Sequence, residues 1–279
     1  MLKRVLIANR GEIAVRIARA AAGLGIETVA VYAPADARGL HTKTATRAVA
    51  IGAGAADPVA AYLDVEALIA AARATGCDGV HPGYGFLSEN AGFARRCLAE
   101  GLTFVGPPPE ALELFGDKVK ARALAASLGV PTVAGSEGAL ASADAAAEAA
   151  QAVGYPVMLK AAAGGGGRGM RRVDAPAELE AALARCRSEA EAAFGDGSVF
   201  LEKLIERPRH IEVQVLADAK GAITHLWERD CSVQLRNQKV VEIAPAAGLE
   251  PTLRERILAD ALKLAKAGGY VNAGTVEFL

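Results

Sequence analysis

Lys160-Ala161-Ala162-Ala163-Gly164-Gly165-Gly166-Gly167-Arg168-Gly169-Met170 is the stretch on which the reading of the fold turns. Val157-Met158-Leu159 before it and Met170–Val173 at its end are strand-like runs, so the glycines join two strands. Glycine lets backbone N–H groups approach phosphate oxygens closely and adopt positive φ. Gly164 and Gly169 have Walker A spacing, but Met170-Arg171 stand where Lys-Ser/Thr is required, and a Walker A loop leads into a helix. The reading is a hairpin flap that closes over phosphates. Taken alone, four glycines fit a flexible surface loop equally well.

Working outward, Val199–Ile205, Ile211–Leu216 and Ile223–Trp227 are also strand-like, with one helix near Ala177–Ala193. This half is expected to hold an antiparallel or mixed sheet. On the other side lie a helix from the N-cap Asp117 to Leu128, a loop from Pro131 to Gly138 and an Ala-rich helix, Ser142–Val153. The first 115 residues differ in texture. Strands at Val5–Ala8, Thr28–Tyr32, Ala48–Ile51, Asp78–Val80 and Thr103–Val105 alternate with helices at Gly11–Ala22, Val65–Ala72 and Glu89–Ala99. Ile13, Ile17 and Ala20-Ala21 give the first helix its apolar face. That alternation predicts a parallel sheet covered on both faces. Gly106-Pro107-Pro108-Pro109 marks the edge, and two domains are expected, 1–115 and 116–279.

With 31 basic and 32 acidic residues, no overall field attracts nucleic acid or an acidic membrane. No apolar run approaches a membrane span, and the four apolar residues after Arg4 are too few for a signal-peptide core. Cys77, Cys97, Cys186 and Cys231 form no C-x-x-C pair, and no histidine lies at zinc-ligand spacing. Scattered thiols fit a cytoplasmic protein. Dinucleotide fingerprints fail, because Thr28, Asp57 and Ser88 occupy the third-glycine position.

Lys118 and Lys160 are placed to serve a triphosphate, although a lysine is most often a solvated surface charge. Glu202-Lys203-Leu204-Ile205 could present backbone groups to a base edge or be a plain edge strand. In His210–Val215, Ile211, Val213 and Val215 face a core while His210, Glu212 and Gln214 share the other side, usually a solvated one. Gln234, Asn237 and Lys239 lie within six residues. Glu277, between Val276 and Phe278, points away from the core, and near a triphosphate it could hold Mg²⁺.

Taken together these segments resemble the biotin carboxylase family, within the ATP-grasp superfamily. The similarity runs through Ile7–Ala14, His81–Asn90, Gly116-Asp117-Lys118, Lys160–Met170, Arg209–Gln214, Glu228–Ser232, Gln238–Glu242 and Gly274–Leu279, in the family's order. The resemblance implies a Rossmann-like pre-ATP-grasp domain followed by an ATP-grasp domain incomplete at its C-terminus. It implies that ATP phosphorylates bicarbonate to carboxyphosphate, whose CO₂ carboxylates biotin. Lys118, Lys160, Gly165, Gly166, Gly167, Glu202, Lys203, Leu204, Ile205, His210, Gln234 and Asn237 would bind ATP. Lys239 would contact bicarbonate, as the catalytic residue, and Glu277 would ligate Mg²⁺ or Mn²⁺. A biotin carrier domain and a carboxyltransferase domain or subunit are the implied partners, in a homo-oligomer.

Asn237 stands where many family members carry histidine, and Ala162-Ala163 replace a common Ser-Gly pair. The family continues past the position of Leu279 with a second metal carboxylate, an asparagine and an arginine-glutamate motif. The 279 residues alone are therefore expected not to turn over. Another ATP-grasp ligase, such as a carbamoyl-phosphate synthetase half or a purine-pathway carboxylase, is the alternative enzyme. A non-catalytic nucleotide-binding or assembly module is the alternative of a different class.

Overall fold

The structure, a computed structural model, describes residues 1–53, 57–162, 169–235 and 238–279, and of Phe194 the backbone alone. It contains two compact units, Met1–Glu113 and Leu114–Leu279.

In the first unit β1 (Arg4–Ile7), β2 (Glu27–Tyr32), β3 (Arg47–Ala50), β4 (Gly79–His81) and β5 (Thr103–Phe104) form one sheet in the order β3-β2-β1-β4-β5. Every pair is parallel, as the alternation of strands and helices requires. The crossovers carry α1 (Gly11–Gly23), α2 (Leu40–Thr44), α3 (Val65–Ala74) and α4 (Ala91–Ala99). Leu6, Val29, Val31, Leu68, Val80 and Phe93 pack in one cluster, and Ile7, Ala14, Ile17 and Ala18 in another. The buried face of α1 is Ala14, Val15, Ile17, Ala18 and Ala21; Ala20 is exposed, one position off the stripe. Strand order reverses between β1 and β4. There Asn9, 3% exposed, donates from Nδ2 to the carbonyls of Pro82 (2.7 Å) and Tyr84 (2.8 Å), which ties down the start of the His81–Asn90 segment. Gly83 has φ +69°, and a Cβ there would lie 2.8 Å from Asn9 Nδ2, so only glycine fits.

α5 (Pro109–Gly116), which the sequence reading did not anticipate, runs from the end of the first unit into the second. Asp117 then caps α6 (Lys118–Ser127), its Oδ1 accepting from the N–H groups of Val119 (3.0 Å) and Lys120 (3.1 Å). After α7 (Ala143–Val153) come β6 (Val157–Ala161), β7 (Met170–Val173), α8 (Pro176–Phe194) and β8 (Val199–Lys203). The three strands form an antiparallel sheet, β7-β6-β8, with Leu159, Val173, Leu179, Leu183 and Leu201 in its core. The outer edge of β8 is not bare. Lys203 N donates to Ala134 O (2.7 Å), Ser136 N to Leu201 O (2.8 Å) and Leu140 N to Val199 O (2.7 Å), so the Pro131–Gly138 loop and Leu140 after it cover it.

A second antiparallel sheet follows, in the order β11-β10-β9-β12. Its strands are β9 (Ile211–Ala217), β10 (Ile223–Leu235), β11 (Gln238–Ile243) and β12 (Asn272–Phe278). α9 (Pro251–Ala267) packs Ile257, Leu258 and Ala261 on Ile211, Val213 and Val215. Val276 and Phe278 join that same cluster, which leaves Glu277 on the opposite face. β10 runs eight residues beyond the expected Trp227, and neither β11 nor α9 was anticipated.

Candidate active site

The glycine-rich stretch does join two antiparallel strands. Lys160 pairs with Met170 in register, and Ala161 N donates to Gly169 O at 2.9 Å. Gly165, Gly166 and Gly167 lie outside the described residues. At the strand end that leads into them, Lys118 Nζ donates to Ala161 O at 3.4 Å, and the neighbouring Lys160 ammonium pairs with Glu202. Glu202 is 7% exposed, and its other carboxylate oxygen takes Arg122 Nη1 at 2.5 Å. Arg122 lies one turn beyond Lys118 on α6 and was not singled out from the sequence; the i, i+4 spacing of two cations was its only signal.

Lys203 spends its ammonium on the carbonyls of Gly154 and Tyr155, 2.9 Å each, and Leu204 N donates to Pro156 O at 3.1 Å. These two residues therefore hold the turn before β6 to the end of β8. Ile205, which follows, is exposed.

On the second sheet, residues from four strands meet on the face opposite α9. Glu212 of β9 is the centre. Its cross-strand neighbours are Arg229 on β10 and Glu277 on β12. Although it belongs to the polar face of β9, it is 2% exposed. Arg229 Nη2 donates to Glu212 Oε2 at 2.8 Å and Nη1 to Gln214 Oε1 at 2.9 Å; Arg229 also pairs with Glu242 at 3.2 Å. Lys239 of β11 pairs with Glu212 and reaches Glu277 Oε1 at 3.0 Å. Two carboxylates facing each other across a ladder repel, and the Lys239 ammonium between them offsets that.

His210 completes the cluster. Gln234 Nε2 lies 2.8 Å from His210 Nδ1 and orients the ring. His210 Nε2 in turn faces Glu277 Oε1 at 3.4 Å and Glu212 Oε1 at 3.7 Å. Asn237 lies outside the described residues. The structure thus brings His210, Gln234, Lys239 and Glu277 together on one sheet face, with Glu212, read from the sequence only as part of a polar strand face, and Arg229, not singled out there, between them.

One ligand atom from each of His210, Glu212 and Glu277 lies within 4.8 Å of the other two. Mg²⁺ prefers oxygen ligands, commonly one or two carboxylates with phosphate oxygens. Glu277 and Glu212 meet that demand, and in this structure the Lys239 ammonium lies against the Oε1 of each, as a cation there would. His210 offers nitrogen, which Mg²⁺ takes less readily than oxygen. Cys231 is fully buried, and burial pushes its thiol up from the usual range, which disfavours the reactive thiolate.

Residues 1–112 match the family model described as biotin carboxylase, N-terminal domain. Residues 117–279 match that described as carbamoyl-phosphate synthase L chain, ATP binding domain. Mitochondrial pyruvate carboxylase of Mus musculus is 55% identical over 278 residues, which are 100% of this chain and 24% of that protein. The biotin carboxylase of Halalkalibacterium halodurans is 52% identical over 280 residues, 100% of this chain and 61% of the relative. Among solved structures, the biotin carboxylase domain dimer of Hydrogenobacter thermophilus 2-oxoglutarate carboxylase, in complex with MgADP, ADP and bicarbonate, superposes with a TM-score of 0.96 at 48% identity. That match covers 100% of this chain and 61% of the other. The chain thus spans about a quarter of the pyruvate carboxylases it matches and three-fifths of the biotin carboxylase. On both family models and on relatives that match it from end to end, the chain belongs to the biotin carboxylase family.

Proposed function

We propose that this chain is the nucleotide- and bicarbonate-binding part of a biotin carboxylase, with a biotin carboxylase N-terminal domain over 1–115 and an ATP-grasp domain over 116–279. The observation that carries the reading is the Lys239 ammonium seated between Glu212 and Glu277, beside His210, on one sheet face. A cation arriving with ATP would take over the two carboxylates and release the lysine toward an anion. Lys118 and Lys160 contact the phosphates, and Gly165, Gly166 and Gly167 close over them. Glu202 to Ile205, His210, Gln234 and Asn237 hold the nucleotide.

Bicarbonate attacks the γ-phosphorus, ADP leaves, and carboxyphosphate breaks down to CO₂ and phosphate beside the biotin ureido nitrogen. Positioning and charge neutralisation account for most of catalysis in such a transfer. Glu277 with Glu212 would hold Mg²⁺, which would supply part of that neutralisation. Lys239 orients bicarbonate, and Arg229 holds Glu212 in place.

A biotin carrier domain and a carboxyltransferase are the partners of the whole protein, as part of a homo-oligomer. No helix among the described residues is long and apolar enough to cross a membrane, and a cytoplasmic location is part of the same proposal. The carbamoyl-phosphate synthetase reading has the ATP-binding match in its favour, but not the match over residues 1–112.

The test is Lys239→Ala in an enzyme of full family length carrying these residues. Bicarbonate-dependent ADP release should fall by about two orders of magnitude, as when a single oxyanion contact is removed. Affinity for MgATP should change only a few-fold. ATP cleavage that never depended on bicarbonate in the parent would sink the proposal.

A further inference from the structure

On the α9 side of the same sheet, one buried carboxylate oxygen has no hydrogen-bond partner. Glu228 of β10 is 1% exposed. Its Oε1 accepts from Arg254 Nε (2.9 Å) and Ala246 N (3.2 Å), whereas Oε2 is unmatched among the described residues. Arg254, on α9, is itself held by Ala246 O, 3.0 Å from Nη2. Buried polar groups are nearly always satisfied, so an orphan of this kind asks for an explanation.

The strand that carries it is built unusually. The ladder between β9 and β10 shifts register between His225 and Glu228. Within that bulge Trp227 adopts φ +66°, a conformation that a bulky side chain holds only where its surroundings impose it. Leu226 and Trp227 are thereby 59% and 58% exposed. With Glu228, Ala244, Pro245 and Arg254 they line a cavity of about 460 Å³. An apolar-walled cavity of this size with few polar groups has the make-up of a small-molecule site.

We propose that this cavity binds a small, flat, uncharged molecule with one N–H donor, which packs on Trp227 and Leu226 and donates to Glu228 Oε2. A donor is required because an ionised carboxylate only accepts. The ligand is uncharged because Arg254 already pairs with Glu228, and a third charge would be desolvated without a partner. Its flat shape follows from Trp227, whose ring rewards stacked or edge-on aromatic contact. Glu228 points to the α9 side while Arg229, the next residue, joins Glu212 on the other face, so this site is separate from the candidate active site.

Trp227 is the chain's one tryptophan, so its indole N–H gives a single proton–nitrogen cross-peak. Titration with 5-fluoroindole should shift that peak saturably. The N-methyl analogue, with the same shape and no donor, should bind at least tenfold more weakly. In Trp227→Ala, followed by the fluorine line of the probe, binding should be lost. No shift with 5-fluoroindole would overturn the proposal. Equal affinity for the two probes would overturn the role of Glu228 Oε2, and unchanged binding to Trp227→Ala would place the probe elsewhere.

Discussion

Lys160 shares the Glu202 carboxylate with Arg122, so a phosphate that draws the lysine away leaves Glu202 still paired. A charge-assisted contact to phosphate is worth about 1.5–3 kcal/mol, and Lys160→Ala should therefore weaken MgATP binding roughly tenfold or more. Because Arg122 remains, the thermal midpoint should move little. Calorimetric titration checks the first and a melt the second; equal ATP affinity in a folded variant would remove Lys160 from the site. A second residue acts through space alone. A Cβ on Gly135 would lie 2.3 Å from Leu201 O, so Gly135→Ala has to push the loop off the edge of β8. Overpacking of this kind costs about 1–3 kcal/mol, a fall of roughly 2–10 °C in the melting midpoint of the second unit. Lys118, Lys160 and Lys239 could be singled out in the sequence because each sits at a motif or strand boundary. Glu212 could not, since one carboxylate on an alternating strand is usually solvated. Its burial depends on Arg229 and Lys239, which arrive from other strands.

Among the elements, those with local signals were legible. Asp117 announced α6, and the alternation of Ile211, Val213 and Val215 announced both β9 and its buried face. α9 carries an equally readable stripe, Ile257, Leu258, Ala261, Leu264 and Ala265, behind a Glu250 cap and Pro251. β11 is different, for all six of its residues are exposed and no period marks them as strand. It is held by its ladder to β10, a tertiary fact. The cap at Asp117 can be tested directly. Asp117→Ala removes the acceptor for two N–H groups and should cost about 1 kcal/mol, read as a lower urea midpoint with an unchanged slope. Lys118 is the first residue of that helix, so ATP affinity should drop as well. A stability loss with no change in ATP affinity would mean that Lys118 is positioned by something other than the cap.

At the scale of the whole molecule, the parallel first unit and the antiparallel second were foreseeable because alternating strands and helices can only close one way, while runs of strands pair with their neighbours. What the alternation could not tell is which ionisable groups that first core swallows. Tyr62 is 1% exposed, and burial raises its pKa to about 12; its hydroxyl donates to Asp36 Oδ2 at 2.7 Å and accepts from Ala33 N at 3.0 Å. Cys97, fully buried, is likewise pushed up to about 12. Both groups are neutral acids when folded. In the unfolded chain they release their protons near their ordinary values of 10.0 and 9.0. Well below pH 9 neither form has ionised, and the two groups leave stability independent of pH. Between pH 9 and 12 the unfolded chain alone gains by losing protons, so stability falls as pH rises. Each unit of separation is worth about 1.4 kcal/mol, which makes the loss several kcal/mol over that window, on the scale of a domain's whole stability of roughly 5–15 kcal/mol. Urea unfolding of the first unit, followed by far-UV circular dichroism from pH 8 to 11, should show a midpoint that is level to about pH 9 and then declines. Tyr62→Phe and Cys97→Ala will each lower the starting midpoint, but each should also make the decline shallower, Cys97→Ala from about pH 9 and Tyr62→Phe from about pH 10. A decline of the same steepness in both variants would show that neither buried acid is its source.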